Sequence, residues 1–418
     1  MTSMIDRRRC LSAMTGAGIA SLAGCLSSAL NDDEDARPAL SDRTFRYGAV
    51  LPLTGELSFI ADPLQNATAL PVTELEASGL DLSFEYEVAD SRTTPGGAVD
   101  AATTLIDEEY PAIIGAAASD ATLQMTQQAT IPAEVVSCSP SSTSPTMSIL
   151  NDRGYSFRTA PDDSMQAVVA AQLASTEHDA ETAATIYTAG DYGRQLSGAF
   201  SASFRGDIQR QVSFTPGSES YAEPLSQALA DDPDILFVIS YVESGIELLQ
   251  EYYGDHRGDE TVFISDGLQD ESLPNEVSEV VDNVFGTAPT STGPGQDRFA
   301  TLYRDEYGDE PALFTANCYD ATATVLLANA AAGENDGTAI RGEMNNVTSG
   351  DGVEVLPGEL AEGIKIAATG APVRYRGASG EIEFDVNGDG GSITYEYFTY
   401  DSGGIAVIDE RTPEGAAE

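Results

Sequence analysis

AIIGAAASDATLQMTQQATIPAEVVSCSPSSTSP, residues 112–145, sets two short apolar runs, AIIGA (112–116) and VVSCS (135–139), on either side of a helical stretch over 119–134. Continuous apolar runs of this length, rich in β-branched residues, read as strands covered on both faces. Upstream the same alternation continues. FRYGAVLPL (45–53) reads as a strand, 59–78 as a helix, LSFEYEVAD (82–90) as a strand and 95–109 as a helix. The order βαβα argues for a parallel sheet flanked by helices.

The pattern starts again after FRTAPDD (157–163). Met165, Val168, Val169 and Leu173 share one helical face, and ATIYTA (184–189), DILFVIS (234–240) and TVFISDG (261–267) are strands separated by helices from Tyr192 and over 242–252. Beyond the extended GTAPTSTGPG (286–295), helices are expected over 295–306 and 312–331, and strands near 380–384 and 393–400. Two α/β sheets with helices returning late imply that the chain crosses between domains more than once. The fold class is therefore α/β, with two doubly wound parallel-sheet lobes.

Ahead of these lobes, Arg7-Arg8-Arg9, an apolar stretch from Ala13 to Ala23 and Leu22-Ala23-Gly24-Cys25 have the order of an export signal, too short to span a bilayer. The tetrapeptide resembles a lipobox, in which Cys25 becomes the lipid-bearing first residue. The paired arginines resemble the twin-arginine export route, although Cys10 stands where that motif has a bulky apolar residue, which leaves the general secretory route open. Residues 25–44, with Asn31-Asp32-Asp33-Glu34-Asp35, read as a solvated, disordered tether.

Charge is the other strong signal. The chain has 20 basic and 68 acidic residues, a net charge of −48, and its one lysine is Lys365. Apolar segments recur throughout, so the acids lie on folded domains, and such a surface needs concentrated salt to screen its self-repulsion. Carboxylate excess with lysine depletion reads as an extreme halophile. Nucleic acid is not a partner for this surface.

Catalytic motifs do not emerge. His178 and His256 lie near helix ends among polar residues, no nucleophile-elbow sequence occurs, and no phosphate loop is present. Asp385, Asn387 and Asp389, followed by Glu396, match a calcium-loop pattern, but the flanks read as strands and Asn-Gly-Asp-Gly as a hairpin turn. No metal or other cofactor is expected. Asn66 and Asn346 head glycosylation triplets. Cys138 and Cys318 are the cysteines of the folded part; two buried thiols are the favoured reading, and a disulfide, permitted outside the cell, is the alternative.

The loops after the strands at 112–116 and 135–139 carry Ser119 and the run Pro140 to Pro145. In open α/β sheets ligands sit beyond the carboxyl ends of the strands, where hydroxyls and backbone N–H groups hold anions. Ser119 could equally be only a helix cap, and the 140–145 run an ordinary loop.

LPLTG (51–55), ADSRTTPGGAVDAATTLI (89–106), IIGAAAS (113–119), SPSSTSP (139–145), FRTAPDD (157–163), YTAGDYG (187–193), LFTANCYDA (313–321) and GEIEFDVNGD (380–389) are similar, in order and spacing, to the leucine/isoleucine/valine-binding proteins of ATP-driven importers. That resemblance implies a type I solute-binding fold, two lobes joined by three crossovers that close over an amino acid. It implies lobe 1 over 45–158 and 289–383, and lobe 2 over 159–288 and 384–418. By the same resemblance Ser119, Ser141 and Thr143 hold the ligand carboxylate and Asp266 the ammonium. Tyr241 and Tyr192 flank the ligand, and Phe59 or Ile60 supplies the apolar contact of the first lobe. Asp266 is one methylene shorter than the family's usual acid. The expected protein is a monomeric, lipid-anchored binder of a branched-chain or other aliphatic amino acid on the outer face of the membrane, with an ABC permease as partner. A chemotaxis transducer as partner, or an amide or urea-like ligand, is the alternative.

Overall fold

The computed structural model describes residues 38–277, 281–390, 394–401 and 404–413. The export signal, Cys25 and most of the tether lie outside the described residues. The last part of the expected tether is ordered, contrary to expectation. Residues 40–42 form a helical turn, and the buried Arg43 donates to the Asn329 carbonyl at 3.0 Å and stacks over Phe45.

The first lobe begins with β1 (Thr44–Leu51), α1 (Ala61–Ala77), β2 (Ser83–Asp90), α2 (Pro95–Asp107) and β3 (Ala112–Gly115). It continues with α3 (Ser119–Met125), α4 (Ile131–Ala133), β4 (Val136–Ser139) and β5 (Ser156–Arg158). The five strands form a parallel sheet in the order β2-β1-β3-β4-β5. Every residue of β3 and β4 is buried, as their apolar runs require. Helix α2 starts where Thr94 accepts from the Gly97 N–H at 3.1 Å and Pro95 occupies the first turn, a position that lacks an intrahelical donor requirement.

The second lobe follows with α5 (Asp163–Thr176), β6 (Thr182–Thr188), α6 (Asp191–Ser203), β7 (Asp207–Phe214), α7 (Ala222–Ala228) and β8 (Ile235–Ile239). Then come α8 (Val242–Glu251), β9 (Thr261–Ile264), α9 (Leu273–Val277) and β10 (Val284–Pro289). The chain returns to the first lobe through α10 (Gln296–Tyr307), α11 (Thr315–Ala332), α12 (Gly337–Met344), β11 (Val353–Val355), α13 (Leu360–Ala368) and β12 (Val373–Tyr375). It ends in the second with β13 (Tyr395–Asp401) and β14 (Gly404–Arg411).

The second sheet has the order β14-β13-β10-β9-β8-β6-β7. It is parallel from β7 to β10, but β13 and β14 run antiparallel at one edge, so it is mixed rather than wholly parallel. One core gathers residues from Phe45 to Ala160 and from Phe299 to Phe384; the others gather residues from Ala167 to Ala288 and from Tyr395 to Tyr400. The backbone thus passes between the sheets after β5, after β10 and before β13, three crossovers beside one cleft.

One expectation is corrected, and the favoured reading of the two cysteines holds. Residues 380–384 form no strand: Ile382 and Phe384 are buried against the first core, which satisfies the alternation of EIEF without a paired strand. Cys138 and Cys318 are free buried thiols, not a disulfide; the Cys318 sulfur lies 2.9 Å from the Thr68 hydroxyl, and burial pushes its pKa up to about 12. Of the calcium-loop residues, Asp385, Asn387 and Asp389 share one turn, and Glu396 stands apart from it. Asp389 pairs with Arg158 at 2.6 Å, the Asp385 carboxylate accepts from the Asn387 and Asp389 N–H groups, and Glu396 sits on β13 against Gln269. No helix among the described residues is long and apolar enough to cross a membrane.

Candidate functional site

Each sheet reverses its strand order once, at β1/β3 in the first lobe and β6/β8 in the second. Loops leaving the carboxyl ends of strands on either side of such a reversal diverge and leave a crevice. Ser119 follows β3, Ser141 and Thr143 follow β4, and Phe59 follows β1. From the second lobe Tyr192 follows β6, Tyr241 follows β8 and Asp266 follows β9. All seven line a single pocket between the lobes, with Leu57, Ile60, Ala117, Gly267, Leu313 and Phe314.

The wall is chemically divided. On the first-lobe side Ser141 donates to the Ala117 carbonyl at 3.2 Å, and Ser119 accepts from the Ser144 N–H at 3.3 Å. On the second-lobe side the Tyr192 hydroxyl donates to Asp266 at 2.9 Å, and the rings of Tyr192 and Tyr241 stack with centroids 5.2 Å apart. Phe59, Leu57, Ile60 and Leu313 supply apolar surface. No lysine or arginine lines the cavity.

Asp266 has a neighbour that sequence reading missed. Asp163, the first residue of α5, is 1% exposed; among the described residues no hydrogen bond of good geometry reaches either of its carboxylate oxygens, although the Thr143 side chain favours its charged form, and the Gln166 side-chain oxygen is unpartnered too. Its backbone N–H donates to the Thr143 carbonyl at 2.8 Å, which fixes it behind the ligand loop. Burial first, and then the charge of Asp266, push the Asp163 carboxyl well above the ordinary carboxylate range. Burial raises Asp266 as well, opposed by the Tyr192 hydrogen bond. Asp266 is the acid of a wall in which, among the described residues, no base stands, and this suits a cationic head group; Asp163 lies behind that wall. The signal was in the second aspartate of FRTAPDD, where one acid caps the helix and the next, one residue on, is turned inward.

The lobes also touch directly. Asp120 of the first lobe accepts from the Asp191 N–H at 2.7 Å, and Ser144 donates to the Asp191 carboxylate. Glu56 accepts from the Ser244 N–H at 3.1 Å and from its hydroxyl at 2.6 Å. The cleft is closed in this conformation.

A model of the periplasmic binding protein family matches residues 44–374. The chain is 28% identical over 346 residues to BasB of Halobacterium salinarum, a chemotactic signal transduction system substrate-binding protein, across 80% of this chain and 82% of BasB. It is 23% identical over 380 residues to the Leu/Ile/Val-binding protein BraC3 of Rhizobium johnstonii, across 88% of this chain and 95% of BraC3. Among solved structures, LivJ of Streptococcus pneumoniae, a branched-chain amino acid transporter substrate binding protein in complex with isoleucine, shares the fold. Its TM-score is 0.71 at 22% identity, over 88% of this chain and 99% of LivJ. The matched relatives are solute-binding proteins of the extracytoplasmic space rather than enzymes. With the family match spanning most of the chain, and two α/β lobes closing over one cleft, the chain belongs to the periplasmic binding protein family and has its type I fold.

Proposed function

We propose that the protein is a lipid-anchored receptor that captures a small aliphatic amino acid outside the cytoplasm and presents it to an ATP-driven importer. The observation that supports this reading is the divided cavity wall: Ser119, Ser141 and Thr143 from the first lobe and Asp266 from the second line one space with apolar and aromatic side chains, and the buried Asp163 packs behind Thr143. The hydroxyls suit a carboxylate and Asp266 an ammonium. A zwitterion that satisfies both halves bridges the lobes, so it binds the closed form better than the open one and shifts the population toward closure. Anchoring through Cys25 would keep the receptor concentrated beside its membrane partner.

A sensory role, with a chemotaxis transducer as the membrane partner, is favoured by one observation, the likeness to BasB over most of both chains. Deleting the gene separates the two: loss of amino-acid uptake marks an importer, and loss of attraction with uptake intact marks a sensor.

Calorimetric titration of the mature protein in molar potassium chloride tests the ligand class. Heat with one or more aliphatic amino acids, and none with short-chain carboxylates lacking an amine, is expected; no heat with any amino acid sinks the reading.

A further inference from the structure

A carboxylate bound at Ser119 and Thr143 meets no cation in the cavity wall, yet one guanidinium stands behind it. Arg158, the last residue of β5, is 1% exposed. Its Nε donates to Asp389 at 2.6 Å, and its Nη2 to the Ser148 hydroxyl and to Asp162, each at 2.8 Å. Its Nη1 donates to the carbonyls of Ser142 at 3.2 Å and Ser144 at 2.9 Å. Those two carbonyls flank Thr143.

Peptide geometry carries this grip through to the cavity. In a trans peptide the C=O and N–H point to opposite sides. With the Ser142 carbonyl turned back onto Arg158, the Thr143 N–H is turned forward, and it makes no hydrogen bond to another described residue. The next peptide is set in the same way. The Thr143 carbonyl accepts from the Asp163 N–H at 2.8 Å, and the Ser144 N–H opposite it donates to the Ser119 hydroxyl oxygen at 3.3 Å. Ser119, already accepting there, keeps its own proton for an anion.

We propose that Arg158 is a positioning residue for the carboxylate end of the ligand, holding the Ser142–Ser144 peptides so that the Thr143 N–H and the Ser119 hydroxyl converge on it. The inference rests on the amino-acid reading above. Arg158 acts without touching the ligand, and its burial limits how far salt screens its ion pairs with the part-exposed Asp162 and Asp389. A lysine in its place keeps the charge but has no planar fork to hold two carbonyls and two carboxylates at once.

The test compares leucine, isoleucine, valine and alanine with their carboxamides, which keep the ammonium and lose the carboxylate. For Arg158→Lys and Arg158→Gln, the affinity for the amino acid falls about tenfold or more, the worth of a hydrogen bond to a charged group, and that for the carboxamide by less than about threefold. Asp389→Asn, which loosens the fork from its far side without entering the core, shifts the same ratio in the same direction and serves if the arginine variants fold poorly. Millimolar guanidinium restores part of the lost ratio in Arg158→Gln. Equal losses for acid and amide, or none, overturn the role of Arg158 while leaving the ligand class intact. Wild-type protein that binds none of the amino acids overturns both.

Discussion

Asp163 carries the clearest electrostatic cost beside the cleft, a buried carboxylate that no hydrogen bond of good geometry reaches among the described residues, next to a second buried acid. A group whose pKa is raised on folding holds its proton more tightly in the folded state, so the stability it contributes is full below the unfolded carboxylate value and is lost as pH rises through the folded one. Asp163 and Asp266 are both raised, so the ligand-free protein should lose stability from the ordinary carboxylate range upward. Thermal melts of Asp163→Asn at neutral pH should therefore lie above wild type, by a few degrees, while affinity for an amino acid falls. A melting point that drops, or an affinity that stays, would remove Asp163 from the ammonium end. Asp266→Ala should abolish binding and leave the fold intact by circular dichroism; unchanged affinity would mean that the ammonium partner is another residue. Asp266 and the six other residues singled out through the family resemblance line one pocket in the structure. Arg158 and Asp163 were not singled out, because both lie in FRTAPDD, whose letters do not reveal which polar side chains turn inward.

At the scale of elements, the cleft is closed by helix ends. Helix α6 begins after Gly190 and α8 after Tyr241, and neither residue caps its helix with a side chain. The first lobe supplies what is missing: Asp120 accepts from the Asp191 N–H, and Glu56 from the Ser244 N–H. A carboxylate at a helix N-terminus contributes about 1 kcal/mol through its hydrogen bond and the helix dipole. Because these caps exist only when the lobes meet, they favour the closed state. Glu56→Gln should weaken ligand binding several-fold and raise the radius of gyration of the ligand-bound protein in solution scattering; wild-type affinity would argue that closure does not depend on this cap. Gly190→Ala should act in the same direction, since its Cβ would come within 2.6 Å of the Asp120 carboxylate. Periodicity exposed β1 to β4 and the helices between them, whose apolar faces are continuous. It missed β7, DIQRQVSF, an edge strand whose mostly polar surface faces solvent, and also β11 and β12, three residues each and paired only with one another. It supplied a strand at 380–384 because Ile382 and Phe384 alternate into the core, and burial of alternate residues does not require a ladder.

For the whole molecule, the charge of −48 sets the working conditions. At about 1 M salt the Debye length is about 3 Å, shorter than the spacing of most surface carboxylates, and self-repulsion is screened. We expect the melting temperature to rise steeply between dilute and molar potassium chloride, with the protein expanding at low salt; a flat dependence would end the halophile reading. The Tyr192–Asp266 hydrogen bond, buried at both ends, should be indifferent to the same change. Hydrophobic periodicity, turn chemistry and the order of motifs by themselves determined the α/β class, the doubling of the sheet and the strand ends whose loops line the cleft, because these are local patterns repeated along the chain. Tertiary structure alone decided that β13 and β14 close the second sheet antiparallel and that Cys138 and Cys318 remain thiols. It alone placed Asp163 beside Asp266 and Arg158 behind Thr143. Those are distances between residues up to hundreds of positions apart, set by how helices and sheets pack, and no local pattern in the chain encodes them.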